Sequence, residues 1–313
     1  MLELLLLICG LAGLWVGSEA LIRGAISLAD HYKVSDALFG MLILAIGTDL
    51  PELFVAVDAS LRSLAGEDLS GIVIGSALGS SIGQFALVIG VAGFIGFSPR
   101  PLRLVSRNAV FLLGGLIILA VCSIDGLISR GEGFVLAASY GLYLWTLFFW
   151  KPENPEPTDD KDKRSILKAV SLLVAGLAVL PFAANLTVVS AIDFAVIVGL
   201  SNLSVAAVII GLGSSLPELS VSIIALLKDR GGLSVGNLMG SNVLDTLLVP
   251  GLGAAISPLV IPAAVLWFDL PVLALVTVLV LGFLYVSSRG VRKTEASILL
   301  AIYAGYAYVR MLA

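Results

Sequence analysis

The sequence predicts an all-α integral membrane protein, with ten transmembrane helices forming two inverted five-helix repeats and the N-terminus outside. Hydrophobic residues make up 59% of the 313-residue chain and charged residues only 13%. Mean hydropathy is +1.08, well away from the values of soluble domains. The apolar runs are continuous rather than alternating, so helices, not a β-barrel, are expected to satisfy the backbone in lipid. A third observation, a short polar motif inside an apolar run in each half of the chain, supports the repeat.

Taken in order, the apolar runs fall at residues 3 to 30, 36 to 61, 70 to 96, 108 to 124, 133 to 150, 166 to 192, 203 to 227, 233 to 256, 269 to 286 and 295 to 312. Each is of a length to span the bilayer as a helix of roughly 20 residues. The first and sixth are longer than a span needs and are expected to tilt. The N-terminal "MLELLLLICG" carries Glu3 and no basic flank, so it reads as the first span and not as a cleavable signal peptide. The segment "WKPENPEPTDDKDKRS", residues 150 to 165, is the one long polar stretch. It divides the chain into a first repeat (1–150), a cytoplasmic linker (151–165) and a second repeat (166–313). It is too short for an EF-hand and lacks that loop's Gly and terminal Glu. With the N-terminus outside, fifteen of the 18 Lys and Arg fall in inner loops, leaving Arg62, Arg130 and Arg310 outside. The expected location is the plasma membrane, with the lipid bilayer as surroundings. Nothing in the charge pattern supports nucleic-acid binding, and no protein partner or cofactor is implied.

The polar motif is "LILAIGTDLPELFVAV" at 42 to 57, echoed by "VIIGLGSSLPELSVSI" at 208 to 223. Because each half has an odd number of helices, the second copy enters the membrane from the opposite side. Such inverted repeats are a signature of secondary transporters, whose substrate sites lie where the repeats meet. Carboxylates inside the bilayer are costly and point to function. Glu52 and Glu218 each follow a proline and sit four residues after a hydroxyl, Thr48 and Ser214, on one helix face. Pro51 and Pro217 have no N–H to give the carbonyls of Gly47 and Gly213. A broken helix with free carbonyls beside a carboxylate suits a hard cation.

One helix later in each half, "GSALGSSIGQ" (75–84) offers Ser80 and Gln84, and "GNLMGSNVLD" (236–245) offers Ser241 and Asp245, both pairs at i, i+4 spacing. Gly75, Gly79 and Gly83, and Gly236 and Gly240, repeat every four residues, a spacing that lets helices approach closely. Together with Ser215 these oxygens suffice for calcium, which takes about 6 to 8. A transition-metal site would call for His or Cys. The single His31 reads as a surface residue, and Cys9 and Cys122 as packing residues in apolar runs.

These four segments resemble the α-repeats of the calcium/cation antiporter superfamily, particularly its prokaryotic sodium/calcium exchanger branch. The resemblance implies that Glu52 and Glu218 are the central calcium ligands, completed at Thr48 and Ser214. It implies that Ser80, Ser215 and Ser241, with the carbonyls at Ala45 and Gly211, hold sodium. Asp245 matches a position in the middle of the site, and Gln84 is its first-half counterpart. Asp49 departs from the pattern, standing where the branch usually has Ser. It is counted among the cation-site residues, and three roles are open to it: holding a proton, replacing a neutral sodium ligand, or facing away. The implied activity is exchange of calcium for sodium by alternating access, the long first and sixth helices sliding past a fixed site. Proton/calcium exchange and potassium-dependent sodium/calcium exchange are the alternatives. An enzyme is not expected, since an intramembrane aspartyl protease would need a Gly-x-Gly-Asp segment that the chain lacks. Of the remaining membrane charges, Glu19 is expected to pair with Arg23. Asp58 is a candidate for an access path, and Asp193 and Asp269 are expected at the interface.

Overall fold

Helices account for nearly all of the computed structural model, which describes residues 2–96, 102–149, 165–197, 215–286 and 290–312. In the first half they are α1 (Leu2–Tyr32), α2 (Asp36–Thr48), α3 (Leu50–Leu64), α4 (Ser70–Ile95), α5 (Leu102–Ser123) and α6 (Arg130–Phe148). In the second half they are α7 (Ile166–Ile197), α8 (Leu216–Leu227), α9 (Gly231–Ile256), α10 (Val265–Val286) and α11 (Lys293–Leu312). Among the described residues, six helices (α1, α4, α5, α7, α9 and α10) are long and apolar enough to cross a membrane. The pair α2 and α3 makes a seventh span if counted as one, bent by 45° between Thr48 and Leu50. The run at 36 to 61 is therefore two helices, not one. The run at 203 to 227 is described only from Ser215 onward, and the polar segment lies outside the described residues except for Ser165.

The long helices α1 and α7 lie antiparallel along most of their length, because glycines remove the side chains that would hold them apart. A Cβ at Gly24 would sit 2.6 Å from both the Ala169 carbonyl oxygen and the Leu173 nitrogen, and one at Gly176 would sit 2.6 Å from the Leu21 nitrogen. At the other end Gly10 faces Thr187. The pair shares a hydrophobic cluster, with Leu21, Ile22 and Leu180, with Phe39 and Leu44 of α2 and Val221, Ile224 and Ala225 of α8, separate from the larger core built on α4, α5, α6, α9 and α10.

Polar contacts tie α1 to the rest. The Ser18 hydroxyl donates to Ser220 of α8 at 2.7 Å. Glu19 pairs with Arg23 at 2.5 Å, as expected, and also with Lys228 at 2.8 Å. Arg230 reaches Asp30 at 3.0 Å and Asp36 at 3.1 Å, joining the end of α1, the start of α2 and the turn before α9. Asp36 is only 4% exposed, so withdrawing the guanidinium leaves a poorly solvated carboxylate behind. Arg230→Ala is expected to destabilise the fold by about 3 kcal/mol, read as earlier thermal unfolding in detergent; unchanged unfolding would show this clasp to be idle.

Two further acids find partners. Asp269, expected at the interface, is 1% exposed and accepts a hydrogen bond from Arg310 at 2.7 Å. It closes the π-helical turn Val265–Asp269 that opens α10, on which α11 packs through the stacked rings of Phe268 and Tyr306. Asp58 pairs with Arg62 at 2.9 Å on an exposed face.

A two-stranded antiparallel pair, β1 (Leu127–Ile128) and β2 (Leu259–Val260), joins the turn before α6 to the turn after α9. Ser129 then starts α6 with a capping box: the Glu132 carboxylate accepts from the Ser129 N–H at 2.8 Å, and the Ser129 hydroxyl accepts from the Glu132 N–H. Past this anchor, α6 packs antiparallel on α9. A Cβ at Gly133 would meet the Ala255 nitrogen at 2.5 Å, and one at Gly251 the Ala137 nitrogen at 2.7 Å.

Candidate ion-binding site

The doubled motif produces two breaks of the same geometry. Asp49 has φ −90° and ψ 4°, and Ser215 has φ −97° and ψ 1°, both in the sparsely populated bridge region. Each break is followed at once by a leucine, a proline and a glutamate that open the next helix. The chain hydrogen-bonds across each break in the same way: Leu53 N–H donates to the Asp49 carbonyl at 3.1 Å, and Leu219 N–H to the Ser215 carbonyl at 2.9 Å. Glu52 and Glu218 thereby sit in the first turns of α3 and α8, where the helix N-terminus favours negative charge.

The two breaks nest against the helices that carry the second pair of segments. Gly83 of α4 lies against the Ser215 hydroxyl, and a side chain there would collide with it. Asp49 stands beside the Ser241 hydroxyl of α9 and the Glu218 carboxyl, close enough to interact with both. Neither Asp49 oxygen makes a formed hydrogen bond, however. Both helices carry a π-helical turn at this level, Gly83–Val88 in α4 and Leu244–Leu248 in α9. Gln84 and Asp245 are each the second residue of that turn. Such turns re-aim side chains locally and are frequent at functional sites.

The carboxylates of Asp49, Glu52, Glu218 and Asp245 are close enough to act on one another electrostatically. Asp49, Glu218 and Asp245 are 0% exposed and Glu52 is 6% exposed. Buried polar atoms normally have partners, but here many do not. Both oxygens of Asp49 and of Glu218, Oε2 of Glu52, Oδ1 of Asp245 and the hydroxyls of Ser215 and Ser241 have none among the described residues. Among those residues no three His, Cys, Asp or Glu form a ready-made metal-ligating group. A bound cation would therefore draw on hydroxyls and carbonyls as well as on the acids.

The remaining sequence candidates divide. Thr48 is 4% exposed, and its hydroxyl lies 3.4 Å from both the Ala45 carbonyl one turn back and Asn237 Oδ1. Ser80 accepts from the Gln84 amide at 3.1 Å. Gln84 is a cross-link: its amide also donates to Asp245 at 3.2 Å, and its carbonyl accepts from Asn242 at 2.7 Å. Ser214 and Gly211 lie outside the described residues. Sequence reasoning passed over Asn237, whose buried amide nitrogen has no partner among the described residues, although it stands within the quoted "GNLMGSNVLD". It also passed over Tyr140 of α6, whose ring reads as ordinary core.

Comparison with known proteins shows the family. The family model described as "Sodium/calcium exchanger protein" matches residues 2–149 and 168–312. The putative antiporter CaxA of Alkalimonas amylolytica is 30% identical over 96% of each chain. The sodium/calcium exchanger MaX1 of Methanosarcina acetivorans is 25% identical over 97% of each. Among solved structures, the sodium-calcium exchanger NCX_Mj soaked with zero Na+ and Ca2+ superposes with a TM-score of 0.80, at 30% identity and 97% coverage of both chains. From the doubled broken-helix motif and from these matches alike, this multi-pass membrane chain is a member of the sodium/calcium exchanger protein family, a family of transporters and not of enzymes.

Proposed function

We propose that the protein is a secondary antiporter that exchanges calcium for sodium across the plasma membrane by alternating access. The observation that carries this is the pair of like breaks at Asp49 and Ser215, which set Glu52 and Glu218 at two helix N-termini with buried oxygens left without partners among the described residues. Calcium is held by Glu52 and Glu218 with oxygens at Thr48 and Ser214. Sodium is held by Ser80, Ser215 and Ser241 with the carbonyls at Ala45 and Gly211, and Asp245, Asp49 and Gln84 complete the polar surround. Calcium and sodium draw on overlapping carboxylates, so occupancy by one excludes the other and exchange is obligatory. The topology that suits this is ten spans in two inverted repeats, 1–150 and 166–313, joined by a cytoplasmic linker, with the N-terminus outside. The α1 and α7 pair is the sliding element: its close glycine-lined packing joins the two helices as one unit, and Gly47 beside the break packs against Leu177 of α7.

Proton/calcium exchange is the second reading, favoured by one observation, the extra buried carboxylate at Asp49. Vesicles containing the purified protein separate the two. Sodium-loaded vesicles are expected to take up labelled calcium, and collapsing the sodium gradient is expected to stop it. Uptake that follows only an imposed pH gradient overturns the sodium reading in favour of the second.

A further inference from the structure

Two tyrosines one turn apart on α6, Tyr140 and Tyr143, are both buried, at 3% and 1% exposure, and their rings lie 5.9 Å apart. Their hydroxyls differ. Tyr143 donates to Asn108 Oδ1 at 3.1 Å, a closed structural bond between α5 and α6. The Tyr140 hydroxyl has no partner among the described residues. A buried phenol that makes no hydrogen bond is costly, so its position calls for an acceptor.

The register of α6 on α9 shows which acceptors are at hand. Gly133 lies against Ala254 and Ala255, and Ala137 against Gly251, so each turn along α6 steps one turn back along α9. The next turn brings Tyr140 to the π-helical turn Leu244–Leu248, which α6 touches and which holds Asp245. The charges that act on the Tyr140 hydroxyl are the carboxylates of Asp49 and Asp245, one from each half of the chain. Each has at least one oxygen without a partner. An ionised carboxylate only accepts, and a neutral phenol has a single hydrogen to give.

We propose that Tyr140 is a positioning residue of the ion site: its hydroxyl, without a partner among the described residues, gives its one hydrogen to the Asp49 or the Asp245 carboxylate once a bound ion draws these acids together, and so holds them in place against their mutual repulsion. This rests on the exchange reading above. Calcium requires several oxygens fixed at once, whereas sodium carries half the charge and demands less of any one acid. Without the hydroxyl the two carboxylates splay apart, and calcium binding suffers more than sodium binding.

The test compares reconstituted wild-type protein with Tyr140→Phe, which removes the hydroxyl alone. The half-saturating calcium concentration for sodium-driven uptake is expected to rise about tenfold, in keeping with one charge-assisted hydrogen bond. The half-saturating sodium concentration is expected to move by less than about threefold. In an Asp49→Ser background the same substitution is expected to shift calcium dependence by only about twofold, since much of its acceptor is gone. Tyr143→Phe is the structural control, expected to lower thermal stability and leave the calcium dependence unchanged. Calcium-induced thermal stabilisation of the purified protein gives the same comparison without flux. The proposal is overturned if Tyr140→Phe leaves calcium half-saturation unchanged, or shifts it equally in both backgrounds. It is also overturned if the variant unfolds equally with and without Asp49, which would make Tyr140 structural. Absence of calcium flux in the wild-type protein counts instead against the exchange reading.

Discussion

Glu52→Gln and Glu218→Gln are each expected to abolish calcium exchange while leaving the protein folded, and in the absence of calcium more stable. The carboxamide keeps the shape of the acid and removes only its charge. For transport that charge is decisive. A divalent cation stripped of water loses one of its two anionic ligands from the broken helices, costing on the order of 3 kcal/mol or more and so at least about a hundredfold in affinity. For folding the sign reverses. Both Glu218 oxygens and one Glu52 oxygen are buried without partners among the described residues, with the carboxylates of Glu52, Asp49 and Asp245 acting on Glu218 and that of Asp49 on Glu52. Deleting one of several uncompensated buried charges relieves repulsion and desolvation. The diagnostic result is a variant whose unfolding temperature in chelator matches or exceeds wild type and no longer rises when calcium is added. Vesicle flux should fall to background in parallel. Calcium-driven stabilisation retained in both variants would remove the two glutamates from the site.

Much of this site is legible in the sequence because its signals are local and doubled. A proline followed by a glutamate inside an apolar run is odd once, and repeated at the corresponding place in the other half it becomes a pattern. The breaks at Asp49 and Ser215 follow from the missing N–H of Pro51 and Pro217, which needs no tertiary information. The parts that escaped depend on how helices pack. The π-helical turns that carry Gln84 and Asp245 insert a residue into an otherwise ordinary helix, and no residue type announces them. Gln84 reads as a ligand by its spacing from Ser80, but it binds Asn242 and Asp245 on the neighbouring helix, a contact across 158 to 161 residues. Asp269 reads as interfacial because it starts an apolar run, and only the approach of Arg310 on α11 gives it a buried place. Tyr140 is hidden for the opposite reason. Aromatic residues in apolar helices are usually core, and its ring is; what sets it apart is the buried hydroxyl at its tip, which makes no hydrogen bond among the described residues.

Gly236→Ala is expected to disable transport more than it destabilises the fold, although it adds a single methyl group. The Cβ would fall on the carbonyl oxygen of Ala37, with the Ala37 carbonyl carbon at 2.9 Å and its Cα at 3.0 Å. From the other side, Gly40 presses on the α9 backbone, a Cβ there meeting the Leu233 oxygen at 2.6 Å and the Asn237 nitrogen at 2.8 Å. Both obstacles are main chain, so no side chain can rotate away, and α2 must separate from α9. Overpacking of this kind costs roughly 1–3 kcal/mol, offset only slightly by the better helix propensity of alanine. The functional consequence is larger, because α2 delivers Thr48 and the Asp49 break while α9 delivers Asn237 and Ser241. Thr48 and Asn237 are already 3.4 Å apart, at the limit of a hydrogen bond. A further shift of a few tenths of an ångström opens that contact and draws the carboxylates of the two halves apart. Gly282→Ala in α10 is the control, since no described atom lies within 4 Å of a Cβ there. It is expected to keep wild-type flux and gain slightly in thermal stability. Gly236→Ala should instead unfold a few degrees earlier and show little calcium uptake at any sodium gradient. Wild-type flux from a destabilised Gly236→Ala protein would show that the α2–α9 spacing matters to the fold and not to the ion.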